Sequence, residues 1–143
     1  MAYCTEADLA KLLPETVLIN LSNDSAGATT VNSTNVAEMI DQADREIDSY
    51  VSIAGHAVPF ETIPPLIANL SAKMAIWNLH LRKYFNSEIW RKTYEDCLRI
   101  LTRIAEGKMA LLPTTDTATS ETSGGHHTSS RRQKFNHHTW ETY

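Results

Sequence analysis

Two cysteines, five glycines and no long apolar run set the first limits on this 143-residue chain. Cys4 and Cys97 are far apart with no C-x-x-C spacing, so neither a zinc site nor a disulfide framework is indicated. The glycines form no phosphate-cradling loop, and G-x-S-x-G and H-E-x-x-H are absent. No stretch reaches the roughly 18 apolar residues of a membrane span, and the N-terminus lacks a basic-then-apolar leader. A reducing cytoplasm is the expected setting, with no membrane contact. Positive charge is also short: 13 Lys and Arg stand against 17 Asp and Glu, a formal net charge of −4. A chain that grips a phosphate backbone needs a basic face, and this composition does not supply one.

What is present is helical periodicity, and it stops at Pro113. Residues 1–113 carry nearly all the large apolar side chains and predict one all-α domain, a small bundle of two short and three longer helices. Thr5 followed by acids predicts a short helix to about Leu13, and Pro14 opens a second over residues 15–21. Asn35 with Glu38 resembles a capping box and predicts a third helix over residues 35–51. Its apolar stripe holds Val36, Met39, Ile40, Ala43, Ile47, Tyr50 and Val51. Pro64 and Pro65 launch the longest helix, to about Tyr84, with Leu66, Ile67, Leu70, Met74, Trp77, Leu81 and Tyr84 along one side. Ile76 and Leu79 fall off that side, which predicts a central helix apolar around much of its girth. Asn86 or Ser87 starts a last helix to about Glu106, closed by Gly107. With every stripe assigned to a neighbouring helix, the isolated chain is expected to be mainly monomeric.

Residues 114–143 have a different character. A run of Thr, Ser, Asp and Gly leads to Arg131, Arg132, Lys134 and Phe135, then Trp140 and Tyr143. This segment has too little apolar surface to offset its ordering entropy, so a disordered C-terminal arm is expected. Arg and aromatic residues dominate protein interface hot spots. Arg131, Arg132, Lys134, Phe135, Trp140 and Tyr143 are therefore the candidate partner-binding residues. Three cations are too few for salt-resistant nucleic-acid binding, which favours protein docking.

No catalytic, metal or cofactor site is expected. His126, His127, His137 and His138 lie in adjacent pairs, whose side chains point apart, on a segment without fixed geometry. His56 and His80 are single and read as surface or helix-flank residues. Cys97 sits on an apolar stripe and reads as core. Cys4 precedes a helix N-terminus, a position expected to lower its pKa. Asp41, Asp44, Glu46 and Asp48 lie largely opposite the third helix's apolar stripe, where a solvated acidic face is expected. Trp77, Trp90, Tyr84 and Tyr94 read as core joining the two longest helices.

Several of these elements, in order, resemble the small head–tail connector (head-completion adaptor) proteins of Mu-like tailed phages and prophages. The matching residues are Met1-Ala2-Tyr3-Cys4-Thr5 with Asp8-Leu9, and Asp41-x-Ala43-Asp44-x-Glu46-Ile47-Asp48-x-Tyr50. Pro64-Pro65-Leu66, then Tyr94 to Arg99, Ile104-Ala105-x-Gly107 and an arm bearing Ser130-Arg131 complete the series. The turn Gly55-His56-Ala57-Val58-Pro59 departs from the Arg-Tyr pair such proteins carry there. The arm departs too, finishing in Trp140 and Tyr143. The resemblance implies a virion protein of the head–tail neck, made in the host cytoplasm. It would bind beneath the portal protein as a dodecameric ring of its own copies, meeting a tail-side stopper or terminator protein. DNA would pass through without specific binding, and Asp41, Asp44 and Asp48 would be candidates to face that channel. The alternative reading is a small helical DNA-binding regulator with a basic tail. The acidic third helix and the mixed charge of residues 87–106 disfavour it.

Overall fold

Residues 1–25 and 27–111 are described by the computed structural model, and among them every regular element is a helix. The order is α1 (Glu6–Leu12), α2 (Glu15–Ser22), α3 (Ser33–Ile53), α4 (Pro65–Arg82) and α5 (Glu88–Ala105). The all-α bundle of two short and three longer helices is the one the periodicity predicts. The candidate arm residues lie outside the described residues.

Local chemistry explains the boundaries. Thr5 caps α1: its backbone N–H and its hydroxyl donate to Asp8 Oδ2 at 3.0 and 2.8 Å. Pro65 occupies the first turn of α4, where its missing N–H costs nothing. The third helix starts two residues earlier than the Asn35–Glu38 box suggested. Asn32 is its cap, accepting from the Asn35 backbone N–H at 3.2 Å. The Asn35 side chain instead reaches back to the Ser22 carbonyl at 2.7 Å, tying α2 to α3.

α3 and α4 each touch every other helix, whereas α5 packs only on that pair. Ile47, Val51, Ile67, Leu70, Met74, Ile76, Leu79, Leu101 and Ile104 are fully buried. Each such side chain contributes about 1.5–3 kcal/mol relative to exposure. Ile76 and Leu79 confirm α4 as the central helix, buried nearly all round. Its last turn departs from expectation. Leu81 and Tyr84 continue the predicted stripe, yet both are exposed, and Tyr84 lies past the helix end at Arg82. His80, read as a surface residue, is buried instead: Nδ1 donates to the Ile76 carbonyl at 2.8 Å and the ring lies against Trp90.

Candidate functional site

Two surface regions combine chemistry with access: a clasp where the N-terminal segment crosses α3, and a corner where α4 turns into α5. The clasp follows from helical spacing. Ala37, Asp41, Asp44 and Asp48 succeed one another at intervals of three or four residues, so they form one line along α3. The N-terminal segment lies on that line. The Tyr3 backbone N–H donates to Asp44 Oδ2 at 2.8 Å, and the Ser71 hydroxyl, from α4, donates to Asp44 Oδ1 at 2.5 Å. That uses the single hydroxyl proton, so the Cys4 thiol, whose Sγ is 3.1 Å from Ser71 Oγ, is left as donor to that oxygen. The Tyr3 hydroxyl donates to Asp48 and accepts from the Phe60 backbone N–H at 3.4 Å.

This arrangement corrects the expected acidic face. Asp44 is only 5% exposed and serves the interior, so it cannot present a charge to a channel. Asp48 is half-buried and engaged with Tyr3, and Asp41 alone of the three is exposed, paired with Arg45 at 2.5 Å. Burial pushes the Asp44 carboxyl above its ordinary range, against the lowering effect of the Ser71 and Tyr3 hydrogen bonds, and Asp48 and Asp41 add to the rise. Cys4 is corrected too: burial raises its thiol to about 11, overriding any lowering by the helix terminus. Cys97 is buried as expected and is likewise pushed up to about 11. With both Asp44 oxygens engaged and the thiol held protonated, this cluster anchors a strand of chain and offers neither base nor nucleophile.

Beside the clasp lies a groove of about 360 Å³ between the N-terminal segment and α3. Val36 and Ile40 are its buried apolar lining, and Glu6 and Asp41 are its carboxylates nearer solvent. Glu6 accepts from the Ser33 hydroxyl at 2.8 Å. Across the bundle, Tyr94 donates to Glu46 Oε1 at 2.6 Å and stacks on Trp77 with ring centroids 5.9 Å apart. Trp77 and Tyr94 therefore join α4 to α5 as expected, Glu46 adds a tie to α3, and Tyr84 takes no part.

Tyr84 belongs to the second region. α4 closes with the Tyr84 N–H on the Leu81 carbonyl at 3.0 Å and the Phe85 N–H on the His80 carbonyl at 2.9 Å. That bond pair requires a left-handed residue, usually glycine, and here it is Tyr84 at φ +54°. Its side chain is 97% exposed, beside exposed Leu81, Phe85 and Ile89. A cleft of about 490 Å³ adjoins this corner, with Val17, Leu21, His80, Lys83 and Phe85 among its walls. Arg82 pins the α2–α3 loop there through Asp24 at 2.5 Å. The expectation that no apolar surface is left over is thus incorrect. The signal was present in residues 81–89, but periodicity assigns a stripe to a helix without saying where that helix turns away.

α5 carries Lys92–Glu88, Arg91–Glu95 and Arg99–Asp96 pairs at 3.2, 3.1 and 2.8 Å. Among the described residues, no helix is long and apolar enough to cross a membrane.

Comparison with known proteins adds a family. A family model described as Bacteriophage Mu, Gp36 matches residues 3–129. The chain is also similar to the Mu-like prophage FluMu protein gp36 of Haemophilus influenzae (strain ATCC 51907 / DSM 11121 / KW20 / Rd). The two are 28% identical over 98 residues, spanning 68% of this chain and 67% of that protein.

Proposed function

Because this chain belongs to the bacteriophage Mu Gp36 family, we propose that it is the structural subunit of the head–tail neck. It joins other copies in a dodecameric ring beneath the portal protein and links the DNA-filled head to a tail-side stopper or terminator protein. The observation that carries this reading is the uncovered apolar corner at Leu81, Tyr84, Phe85 and Ile89. Contiguous exposed apolar side chains mark interaction surfaces, and a ring subunit needs such a surface against its neighbours. In this reading the protein has no catalytic, metal or cofactor role. Each copy adds −4 to the ring, and exposed Asp41 contributes to a wall that repels DNA rather than binding it. The arm, through Arg131, Arg132, Lys134, Phe135, Trp140 and Tyr143, docks on assembled partners.

Deletion of the gene from its phage tests this. Filled heads and free tails should accumulate separately, and protein supplied in trans should restore joined particles. Normal yields of joined, infectious particles without the protein would refute the reading. A full-length Phe135→Ser/Trp140→Ser/Tyr143→Ser variant should keep its circular dichroism yet fail to enter heads.

A further inference from the structure

We propose that, before assembly, the groove between the N-terminal segment and α3 holds the chain's own basic–aromatic segment, residues 131–135. The groove has the complementary composition. Over a buried floor of Val36 and Ile40, exposed Met1, Ala2 and Ala37 offer apolar surface to Phe135, and Glu6 and Asp41 meet Arg131 and Arg132. Its volume, about 360 Å³, falls within the roughly 300–1,000 Å³ of sites that enclose small ligands. Asp41 is held only by Arg45 in an exposed pair, an interaction weak enough to be exchanged for an incoming arginine.

The cleft at the α4–α5 corner is the competing seat. It is larger, but Lys83 lines it and its one carboxylate, Asp24, is already paired with Arg82. Those cations oppose a segment bearing Arg131, Arg132 and Lys134. Charge therefore assigns the segment to the α1–α3 groove and leaves the corner free for other partners.

Reach does not restrict the choice. Leu111 lies twenty positions before Arg131, a span of at most about 66–72 Å, whereas a domain of this size has a radius of gyration of about 13 Å. A short tether gives an effective concentration on the order of millimolar. An intrinsic dissociation constant of about 0.1 mM would thus leave about nine chains in ten closed. The proposal adds to the neck reading a stored state of the arm, released when a stronger partner is met, and it stands without that reading.

The test uses the full-length protein, free and dilute, with the photo-reactive p-benzoylphenylalanine in place of Phe135. Irradiation should give cross-links to residues 1–6 and 33–41, and a mixture of isotopically heavy and light protein should show them within single copies. Arg131→Glu/Arg132→Glu, changed only in the arm, should cut the yield at least about tenfold. Adding Glu6→Arg/Asp41→Arg should restore it, with circular dichroism confirming the fold. Cross-links to the α4–α5 corner, cross-links only between heavy and light copies, or unchanged yield in the arm variant would overturn the proposal. Particle assembly is not read in this experiment, so its failure is separate from failure of the neck reading.

Discussion

α4 and α5 end in the same bonding pattern around different left-handed residues. At the end of α5, the Gly107 N–H bonds the Ile104 carbonyl and the Lys108 N–H bonds the Arg103 carbonyl, both at 2.9 Å. At the end of α4, Tyr84 and Phe85 make the matching pair with Leu81 and His80. Gly107 takes φ +68° with no side-chain penalty, whereas Tyr84 takes φ +54° with a bulky side chain that buries nothing. A left-handed residue with a Cβ costs about 1–2 kcal/mol. Folding alone would place glycine at both ends. A tyrosine at the strained end, near exposed Leu81, Phe85 and Ile89, is what the proposed assembly surface would explain.

The strongest way to break this comparison is to remove the corner's apolar character. Tyr84→Ser/Phe85→Ser/Ile89→Ser should lower incorporation into phage particles at least about tenfold, since each large apolar group buried in a contact is worth about 1.5–3 kcal/mol. Its thermal melt should stay near the parent's, and normal incorporation would remove the corner from the assembly account. A smaller effect is expected at the other helix end. Gly107→Ala should cost about 1–2 kcal/mol in urea unfolding, all of it from the backbone, because an added Cβ would meet nothing within 4 Å. Particle incorporation should not change. Smaller still, Tyr84→Gly should leave stability equal or raised by up to about 1 kcal/mol, as relief of strain is partly offset by the greater chain entropy of glycine. A clear loss of stability would show that the Tyr84 side chain supports the fold.

A separate effect concerns pH, and it contrasts the clasp with the α1 cap. The Asp44 carboxyl is raised in the folded chain, so its stabilising share is complete below the ordinary carboxylate pKa of about 3.9 and is lost as pH climbs through the folded value. Asp8 behaves oppositely. Lys11 and Thr5 lower it to about 2, so its share is present above about 3.9 and is lost as pH falls toward 2. Asp44→Asn should lower stability by about 1–3 kcal/mol through a mismatched buried donor and flatten the decline on the rising side. Asp8→Asn should flatten only the acid side. Urea midpoints measured between pH 2 and 7 decide both, and an unchanged profile in Asp44→Asn would detach that decline from Asp44.

Local rules alone set the helices and their order. Apolar residues at 3.6-residue spacing, Thr5 with Asp8, Pro65 and Gly107 each act within a few residues, so the chain need not be folded for them to be read. Cys97 was legible as core for the same reason. Asp44 was not, because its burial depends on Tyr3 and Ser71, which lie 41 and 27 positions away and meet only when α3, α4 and the N-terminal segment pack. A carboxylate beside other acids looks solvated until distant donors are brought to it. The burial of His80 and the raised Cys4 thiol depend on long-range neighbours in the same way. At the corner the error ran the other way: Tyr84 lies past the helix end at Arg82 in a left-handed conformation, where helical spacing no longer places a side chain. Periodicity determined which side chains could share a face; only the packing of the helices decided which of them water still reaches.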